Sequence, residues 1–334
     1  MRVLYIGGTG EISFDCVKRS VEAGQEVAVF NRGRSDLPLP AGVRRIVGDL
    51  TDDAAYAALA EENFDAVCQF LCFKPQQAER DVRTFAGHCG QYVFISSASC
   101  YQKPAPSYVI TEATPVENPY NDYSHNKILC ENVFRTAHAE GKFPATIVRP
   151  SHTFARRFPG GCGDSDERAW RILNGRPIII HGDGTSLWTY THSSDFAVPF
   201  VGLLGNVAAL GEAFHITRHM EAFTWNRIAE AMGRALGVEA RIVHVPTDTL
   251  VRFLPGMKAS LLGDKMWPVL FDNSKVMRVA GEFTCRVGLE DGLAAVAEYW
   301  LVNRRDAYEP DRNKHALIDR IAEEQEALGS TKDN

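Results

Sequence analysis

The first dozen residues constrain this chain more than any other stretch. Arg2-Val-Leu-Tyr-Ile6 is an apolar run that breaks into Gly7-Gly8-Thr9-Gly10 and then, from Glu11-Ile12-Ser13, into a helical pattern. A parallel strand buried on both faces is near-continuously apolar, and residues 3–6 fit that pattern. Gly7 is placed for a tight turn. Gly10 lets backbone N–H groups approach a pyrophosphate lying on the N-terminus of the next helix, whose dipole favours an anion. Ser13 stands where the third glycine of such a turn usually falls, and it is small enough for close helix–strand packing. Glycine turns also occur in ordinary strand-to-helix connections. Context gives this one its weight, because a second apolar strand over 26–30 follows a helix that ends near Ala23-Gly24.

Apolar runs near 2–6, 26–30, 43–47, 65–71, 91–96 and 144–149 alternate with helical segments, which predicts an α/β fold with a Rossmann-type doubly wound parallel sheet. Right-handed crossovers then gather the strand C-termini and the glycine turn at one edge. Past residue 150 the elements shorten and become rich in Gly, Pro and Arg. The expected division is a dinucleotide-binding domain over 1–155, to which 189–217 return, and a smaller C-terminal α/β substrate domain from 156–188 and 218–310. A helical tail, partly disordered, is expected over 311–334, fraying into Gly329-Ser-Thr-Lys-Asp-Asn334.

The net charge of −6 offers no basic field, so neither nucleic acid nor an anionic membrane is an expected partner. The longest apolar run, around 196–204, falls short of the roughly 18 residues that a membrane span needs. Met1-Arg2 lead straight into the first strand, which is read as leaving no room for a signal peptide and as a cytoplasmic location. Eight cysteines without a CxxC pair, several of them in strands or helices (Cys68, Cys72, Cys130), read as buried reduced thiols. His215 and His219 have ligand-like spacing but no partner in register, and no metal is expected.

The fifth strand ends in Ser96-Ser97-Ala98-Ser99-Cys100-Tyr101, and 26 residues after Ser97 comes Tyr123-Ser-His-Asn-Lys127 in a helical pattern. The i, i+4 spacing puts Tyr123 and Lys127 on one helix face. Bringing a phenol from pKa about 10 to about 7 takes roughly 4 kcal/mol of anion stabilisation. A lysine ammonium one turn away, together with an oxidised nicotinamide, can supply much of it. Tyr123 would then take a proton from a substrate alcohol as hydride leaves, with Ser97 hydrogen-bonding the same oxygen. YxxxK alone occurs on many surface helices. Downstream of paired serines and a glycine turn, it marks a site.

Gly48-Asp49-Leu50 ends the third strand with an acid and a leucine placed to touch an adenine ring; Asp49 is equally suited to cap a helix beginning near 51. After the second strand, Asn31-Arg32-Gly33-Arg34 offers no carboxylate to repel a 2′-phosphate and two guanidiniums to bind one, which favours NADP(H) over NAD(H).

These blocks, with Val148-Arg149-Pro150 and Gly182-Asp-Gly184…His192…Asp195, together resemble the extended short-chain dehydrogenase/reductases, the NAD-dependent epimerase/dehydratase group, in family order from residue 1 to about 293. The resemblance implies Ser97, Tyr123 and Lys127 as catalytic residues. It implies that Gly7, Gly10, Glu11, Ile12, Asn31, Arg32, Asp49, Leu50, Tyr123, Lys127, Pro150 and His152 hold NAD(P)(H), with Ser151-His152-Thr153 beside the nicotinamide. Ser99, Arg157 and Trp188 are the candidate substrate residues.

Three departures point to an atypical branch. Ser13 replaces the third glycine. The segment 76–90 is shorter than the family's fourth helix and has no counterpart of the asparagine that supports the lysine. Trp188 falls where nucleotide-sugar enzymes place an arginine on the substrate diphosphate. An indole cannot replace a guanidinium's paired hydrogen bonds, but it can cover an apolar sugar face with one N–H left for a hydroxyl. Packing between the domains is the competing role for Trp188, and Arg149, Arg156 or Arg157 could take over a phosphate.

Residues 30–33 and 92–101 are also similar to chloroplast stem-loop-binding proteins, RNA-linked members that tend to lack the catalytic tyrosine. The expected function is an NAD(P)-dependent oxidoreductase or epimerase/dehydratase acting on a carbohydrate-like alcohol, with a free or simply substituted sugar ahead of a nucleotide-sugar. The alternative is an RNA-binding or cofactor-sensing protein using a patch of Arg156, Arg157, Arg168 and Arg171. The expected partners are a small-molecule substrate and a second copy in a homodimer.

Overall fold

Seven strands lie side by side and all parallel: β1 (Arg2–Ile6), β2 (Glu26–Asn31), β3 (Arg44–Val47), β4 (Phe64–Gln69), β5 (Cys89–Ile95), β6 (Ala145–Pro150) and β7 (Ala213–Ile216). Their order in the computed structural model, which describes residues 1–330, is β7-β6-β5-β4-β1-β2-β3. The order reverses between β1 and β4, where Ile6 pairs with Phe30 on one side and Gln69 on the other. Crevices outside the strand C-termini at such a switch point are where ligands bind.

The helices that concern the site are α1 (Ser13–Glu22), α2 (Pro75–Phe85), α3 (Asp122–Ala139), α4 (Ser165–Leu173), α5 (Ser193–Leu203), α6 (Trp225–Ala235), α7 (Leu289–Asn303) and α8 (Arg312–Ser330). Side chains of a strand alternate between faces. Val3 and Tyr5 accordingly join Phe196 and Phe200 of α5 in one apolar cluster, while Leu4 and Ile6 join Phe134 of α3 in another. α1 packs on α5 and α2 on α3, so the sheet is covered on both faces and its central strand is wholly buried over 3–6.

The smaller layer is built from short pairs rather than one sheet. Ile178–His181 pairs with Ile242–Val245, His152–Phe154 with Tyr190–His192, and Leu187–Trp188 with Phe223–Thr224. Its core gathers Trp188, Trp225 and Trp300 with residues of α4, α6 and α7, and α8 covers the first of those pairs through Ile318 and Ile321.

Two boundaries differ from expectation. β4 stops at Gln69 rather than running to 71, because the Gln69 Oε1 accepts from the Leu71 N–H (2.8 Å) and turns the chain. α8 continues through Ser330, so Gly329 does not end it; residues 331–334, the rest of the expected frayed tail, lie outside the described residues. All eight cysteines are free thiols, six of them buried. Among the described residues, no helix is long and apolar enough to cross a membrane, and no cluster of three or more His, Cys, Asp or Glu is placed to hold a metal.

Candidate active site

The glycine turn is tighter than its sequence suggests. Gly7 has φ of +92°, and a Cβ there would lie 2.6 Å from the Leu71 side chain. The Ser13 hydroxyl donates to the Gly7 carbonyl (2.6 Å) and accepts from the Gly10 N–H (2.9 Å). The serine in the third glycine's place thus occupies the Gly10 N–H. Ile12, the residue before α1, makes no side-chain capping bond, and the Phe14 N–H in the first helical turn donates to the Gly10 carbonyl (3.3 Å).

Glu11 also departs from its expected part. Its Oε1 accepts from three successive backbone N–H groups, Ala155 (2.8 Å), Arg156 (2.6 Å) and Arg157 (3.0 Å). The side chain is thereby a strut from the turn to the loop beyond residue 154, directed away from the groove. Ile12 packs partly buried against the core that holds Phe196 and Phe200.

A groove of about 620 Å³ runs from Gly7 and Gly10 past Asn31, Arg32 and Arg34 to Asp49 and Leu50. The Asn31 Oδ1 accepts from the Gly33 N–H, which leaves Nδ2 buried and without a hydrogen-bond partner. Asp49 does not cap the helix after it; that helix is capped by Asp52. Instead the Asp49 Oδ1 accepts from the N–H and hydroxyl of Thr51, bonds that hold its carboxyl below the usual range, with Arg32 and Arg34 adding to the effect. A turn too tight for a side chain, an unpartnered amide and two guanidiniums fit a dinucleotide.

Asn121 caps α3 through its Oδ1 on the Tyr123 N–H (2.9 Å), which fixes Tyr123 and Lys127 one turn apart. The Lys127 ammonium is buried and donates to the carbonyls of Cys72 (2.6 Å) and Ile95 (2.8 Å). Main-chain oxygens at the ends of β4 and β5 thus support the lysine, which accounts for the missing asparagine. Its Nζ also lies 4.5 Å from the Phe73 ring centroid, within cation–π range, and burial pulls its pKa down to about 8.

Tyr123 keeps 44% of its surface exposed and borders a second cleft together with Ser97. Desolvation pushes the phenol up to about 12 and the Ser97 hydroxyl offsets that only in part. The lysine expected to lower it sits 5.8 Å from the ring centroid, facing inward. The raised phenol keeps its proton at neutral pH. Ser97 belongs to a hydroxyl chain with Ser99 (2.8 Å) and Ser124 (2.8 Å from Ser99).

The cleft measures about 340 Å³ and is bordered by Ser97, Ser99, Tyr123, Ser151, His152 and Trp188. Pro150 ends β6 paired with Ile216 and delivers Ser151 to it. Trp188 is 3% exposed, and its ring lies against Trp225, centroids 5.3 Å apart. Its N–H is not left for a substrate hydroxyl: it donates to the His152 Nδ1 (3.2 Å). The proton of that imidazole is therefore on Nε2, facing the Tyr190 oxygen at 3.1 Å, and burial holds the ring neutral by pulling its pKa down to about 3.

Arg157 is not brought to this cleft; its side chain borders a separate cavity with Asp166 and Arg304. Arg149 is no phosphate ligand either, being buried and doubly bonded to Glu131 (2.8 and 2.5 Å). The expected arginine patch is absent as a surface. Arg168 and Arg171 are each 1% exposed, and Arg156 is turned onto the Gly10 carbonyl. Two charged residues of the cleft, Lys103 and Asp264, escaped sequence reasoning. Lys103 sits in an irregular segment and Asp264 in a single short turn over 261–265, so no periodicity marks either.

A parallel sheet with a glycine turn at its switch point, a dinucleotide-shaped groove, and a Tyr–Lys pair on one helix beside a serine define an enzyme of the short-chain dehydrogenase/reductase type. The chain belongs to the NAD dependent epimerase/dehydratase family, whose pattern matches residues 3–216. It is 29% identical over 292 residues, 86% of this chain and 81% of the other, to a 2′-dehydrokanamycin reductase of Streptomyces kanamyceticus. It is 25% identical over 261 residues, 73% of this chain and 65% of the other, to the chloroplast stem-loop binding protein of 41 kDa b of Arabidopsis thaliana. Among solved structures it is similar in fold to a UDP-glucose 4-epimerase from Bifidobacterium longum in complex with NAD+ and UDP, with a TM-score of 0.71, 18% identity, and coverage of 91% and 99% of the two chains. The protein is an NAD-dependent oxidoreductase of the epimerase/dehydratase type.

Proposed function

We propose that this enzyme interconverts a ring carbonyl and the corresponding secondary alcohol of a free or simply substituted sugar, working as a reductase, with NADP(H) preferred over NAD(H). The observation that carries the reading is the placement of Tyr123 and Ser97 on one cleft, with Lys127 one helical turn from the tyrosine. Carbonyl reduction calls for an acid at the carbonyl oxygen, and a phenol held near 12 keeps its proton throughout the neutral range.

A dinucleotide bound in the groove supplies the hydride. Tyr123 gives its proton to the carbonyl oxygen as negative charge develops there, and the Ser97 hydroxyl donates a second hydrogen bond to the same atom. Ser99 and Ser124 hold Ser97 in place through their hydroxyls. Lys127, fixed on two carbonyls behind Tyr123, keeps a positive charge on the side where the phenolate forms. Gly7, Gly10, Asn31, Arg32, Asp49 and Leu50 line the groove that would hold the dinucleotide. Arg32 and Arg34 favour a 2′-phosphate, since guanidinium pairs with phosphate through two parallel hydrogen bonds.

The relative that acts on 2′-dehydrokanamycin supports a glycoside ketone as substrate. So does the wall of the cleft, where Trp188 and Trp225 stack and no arginine faces the space. The test is oxidation of NADPH and of NADH by the purified protein with 2′-dehydrokanamycin and simpler keto-glycosides, followed by absorbance. Turnover that persists undiminished in Tyr123→Phe would overturn the reading.

A further inference from the structure

Asp264 lies in a five-residue π-helical turn, Leu261–Lys265, that overhangs the cleft. The turn is pinned on both sides of the aspartate. Before it, the Gly263 carbonyl accepts from the Asn118 Nδ2 at 2.7 Å, and the same amide nitrogen donates to the Ser99 carbonyl at 2.7 Å. After it, the Lys265 carbonyl is bonded by the His181 Nε2 (2.9 Å) and the Trp225 Nε1 (3.2 Å). Asn118 therefore sets the position of Asp264 directly against the strand end that carries Ser97. Single π-turns of this kind recur at functional sites.

The carboxylate so carefully placed accepts no hydrogen bond from any described residue. Its nearest charge is the Lys103 Nζ at 3.8 Å, beyond hydrogen-bond distance. Lys103 is itself only 4% exposed, borders the same cleft, and donates no hydrogen bond to any described residue. Burial raises the pKa of Asp264 and lowers that of Lys103, and the Asp264 side chain keeps 24% of its surface open while that of Lys103 keeps 2%. Buried charges are normally hydrogen-bonded as well as paired. A pair this bare, facing a cleft, has its remaining donors and acceptors aimed at a ligand.

The pair selects the ligand's chemistry. Asp264 accepts and Lys103 donates, so two neighbouring hydroxyls satisfy both, one giving its proton to the carboxylate and the other receiving one from the ammonium. A substrate carboxylate would be repelled by Asp264, and a lone ammonium by Lys103. The cleft's 340 Å³ lies at the small end of the range of ligand pockets, about 300–1,000 Å³, and admits one ring. Asp264 is close enough to Tyr123 for its charge to act on the phenol. The geometry points to Lys103 and Asp264 as a clamp for vicinal hydroxyls of the substrate ring, next to the carbon that reacts at Tyr123. This inference rests on the proposed reading of the cleft as the seat of reaction at a ring alcohol.

Binding calorimetry on NADP+-loaded Tyr123→Phe protein tests it without turnover, using methyl α-D-glucopyranoside and its 2-, 3- and 4-monodeoxy analogues. Asp264→Asn keeps the side chain's shape and should weaken the parent glycoside about ten- to a hundredfold, the range for a lost hydrogen bond to a charged group. Lys103→Gln should weaken it similarly. At least one monodeoxy analogue should bind as poorly as the parent does to Asp264→Asn and lose nothing further on that variant. Equal affinity of the parent for all three proteins, strictly additive losses, or no binding by any glycoside would each overturn the clamp. If the clamp fails while the wild type reduces keto-glycosides in a Tyr123-dependent manner, the proposed function stands without it. If glycosides bind through Asp264 but no ketone is reduced, the function falls and the clamp stands.

Discussion

Replacing Tyr123 by phenylalanine removes one oxygen and leaves the packing of its ring on Phe73 in place. Turnover in Tyr123→Phe should therefore fall by about 10²–10⁴-fold, the usual worth of a positioned acid, while dinucleotide affinity stays near the wild-type value in a fluorescence titration. Lys127→Ala should damage both, because it also leaves the Cys72 and Ile95 carbonyls without their donor. The pH dependence follows from the raised phenol. Reduction needs the protonated phenol and the Lys127 charge, so kcat/KM for reduction should hold through neutrality, fall in a first step above about 8 as Lys127 loses its proton, and fall further as pH climbs toward about 12. Oxidation of the alcohol needs the phenolate and should rise with pH over the same span. A reductive profile that breaks near pH 7 would show that the phenol is not held up in the free enzyme.

The glycine turn illustrates what a motif conceals. Gly7 and Gly10 were legible because only glycine tolerates such a turn, and the strand and helix flanking it were legible from periodicity. That Ser13 would latch the turn from within was not, since the bond depends on a hydroxyl's direction rather than on a pattern. Ser13 is 1% exposed and bonds to both Gly7 and Gly10. Ser13→Ala should cost about 1–3 kcal/mol of stability in denaturant unfolding, the penalty for leaving buried groups unpaired. Glu11 misled for a similar reason: its three backbone partners lie 144 to 146 residues away and no local spacing encodes them. The segment after β2 reads more directly, as Arg32 and Arg34 line the groove and the carboxylate that lines it among the described residues, Asp49, is already engaged with Thr51. Arg32→Ala should weaken NADP(H) by about tenfold or more, on the scale of a charge-assisted bond, and change NAD(H) little. A wild-type preference for NAD(H) in paired titrations would sink this assignment.

The seven-stranded sheet could be anticipated strand by strand because its apolar runs are long, regular and separated by helical stretches. The smaller layer could not, because its strands are two to four residues long and take their partners from segments tens of residues apart. In the proposed reading, substrate choice belongs to that layer. Trp188 occupies the place expected of a diphosphate-binding arginine, yet it neither offers its N–H to the cleft nor leaves space behind it, being bonded to His152 and stacked on Trp225. The other arginines that could have compensated are committed elsewhere: Arg149 to Glu131, Arg156 to the Gly10 carbonyl, and Arg157 to the rim of another cavity. Lys103 is the cation that does face the cleft, and Asp264 beside it opposes an anion. Desolvating a diphosphate against that wall without paired donors is costly. Calorimetry on cofactor-loaded protein should accordingly detect no micromolar binding of UDP-glucose or TDP-glucose, while a keto-glycoside lacking phosphate is turned over. Micromolar binding of either nucleotide-sugar that disappears when the diphosphate is removed would mean that the aromatic wall opens, and that the substrate is a nucleotide-sugar after all.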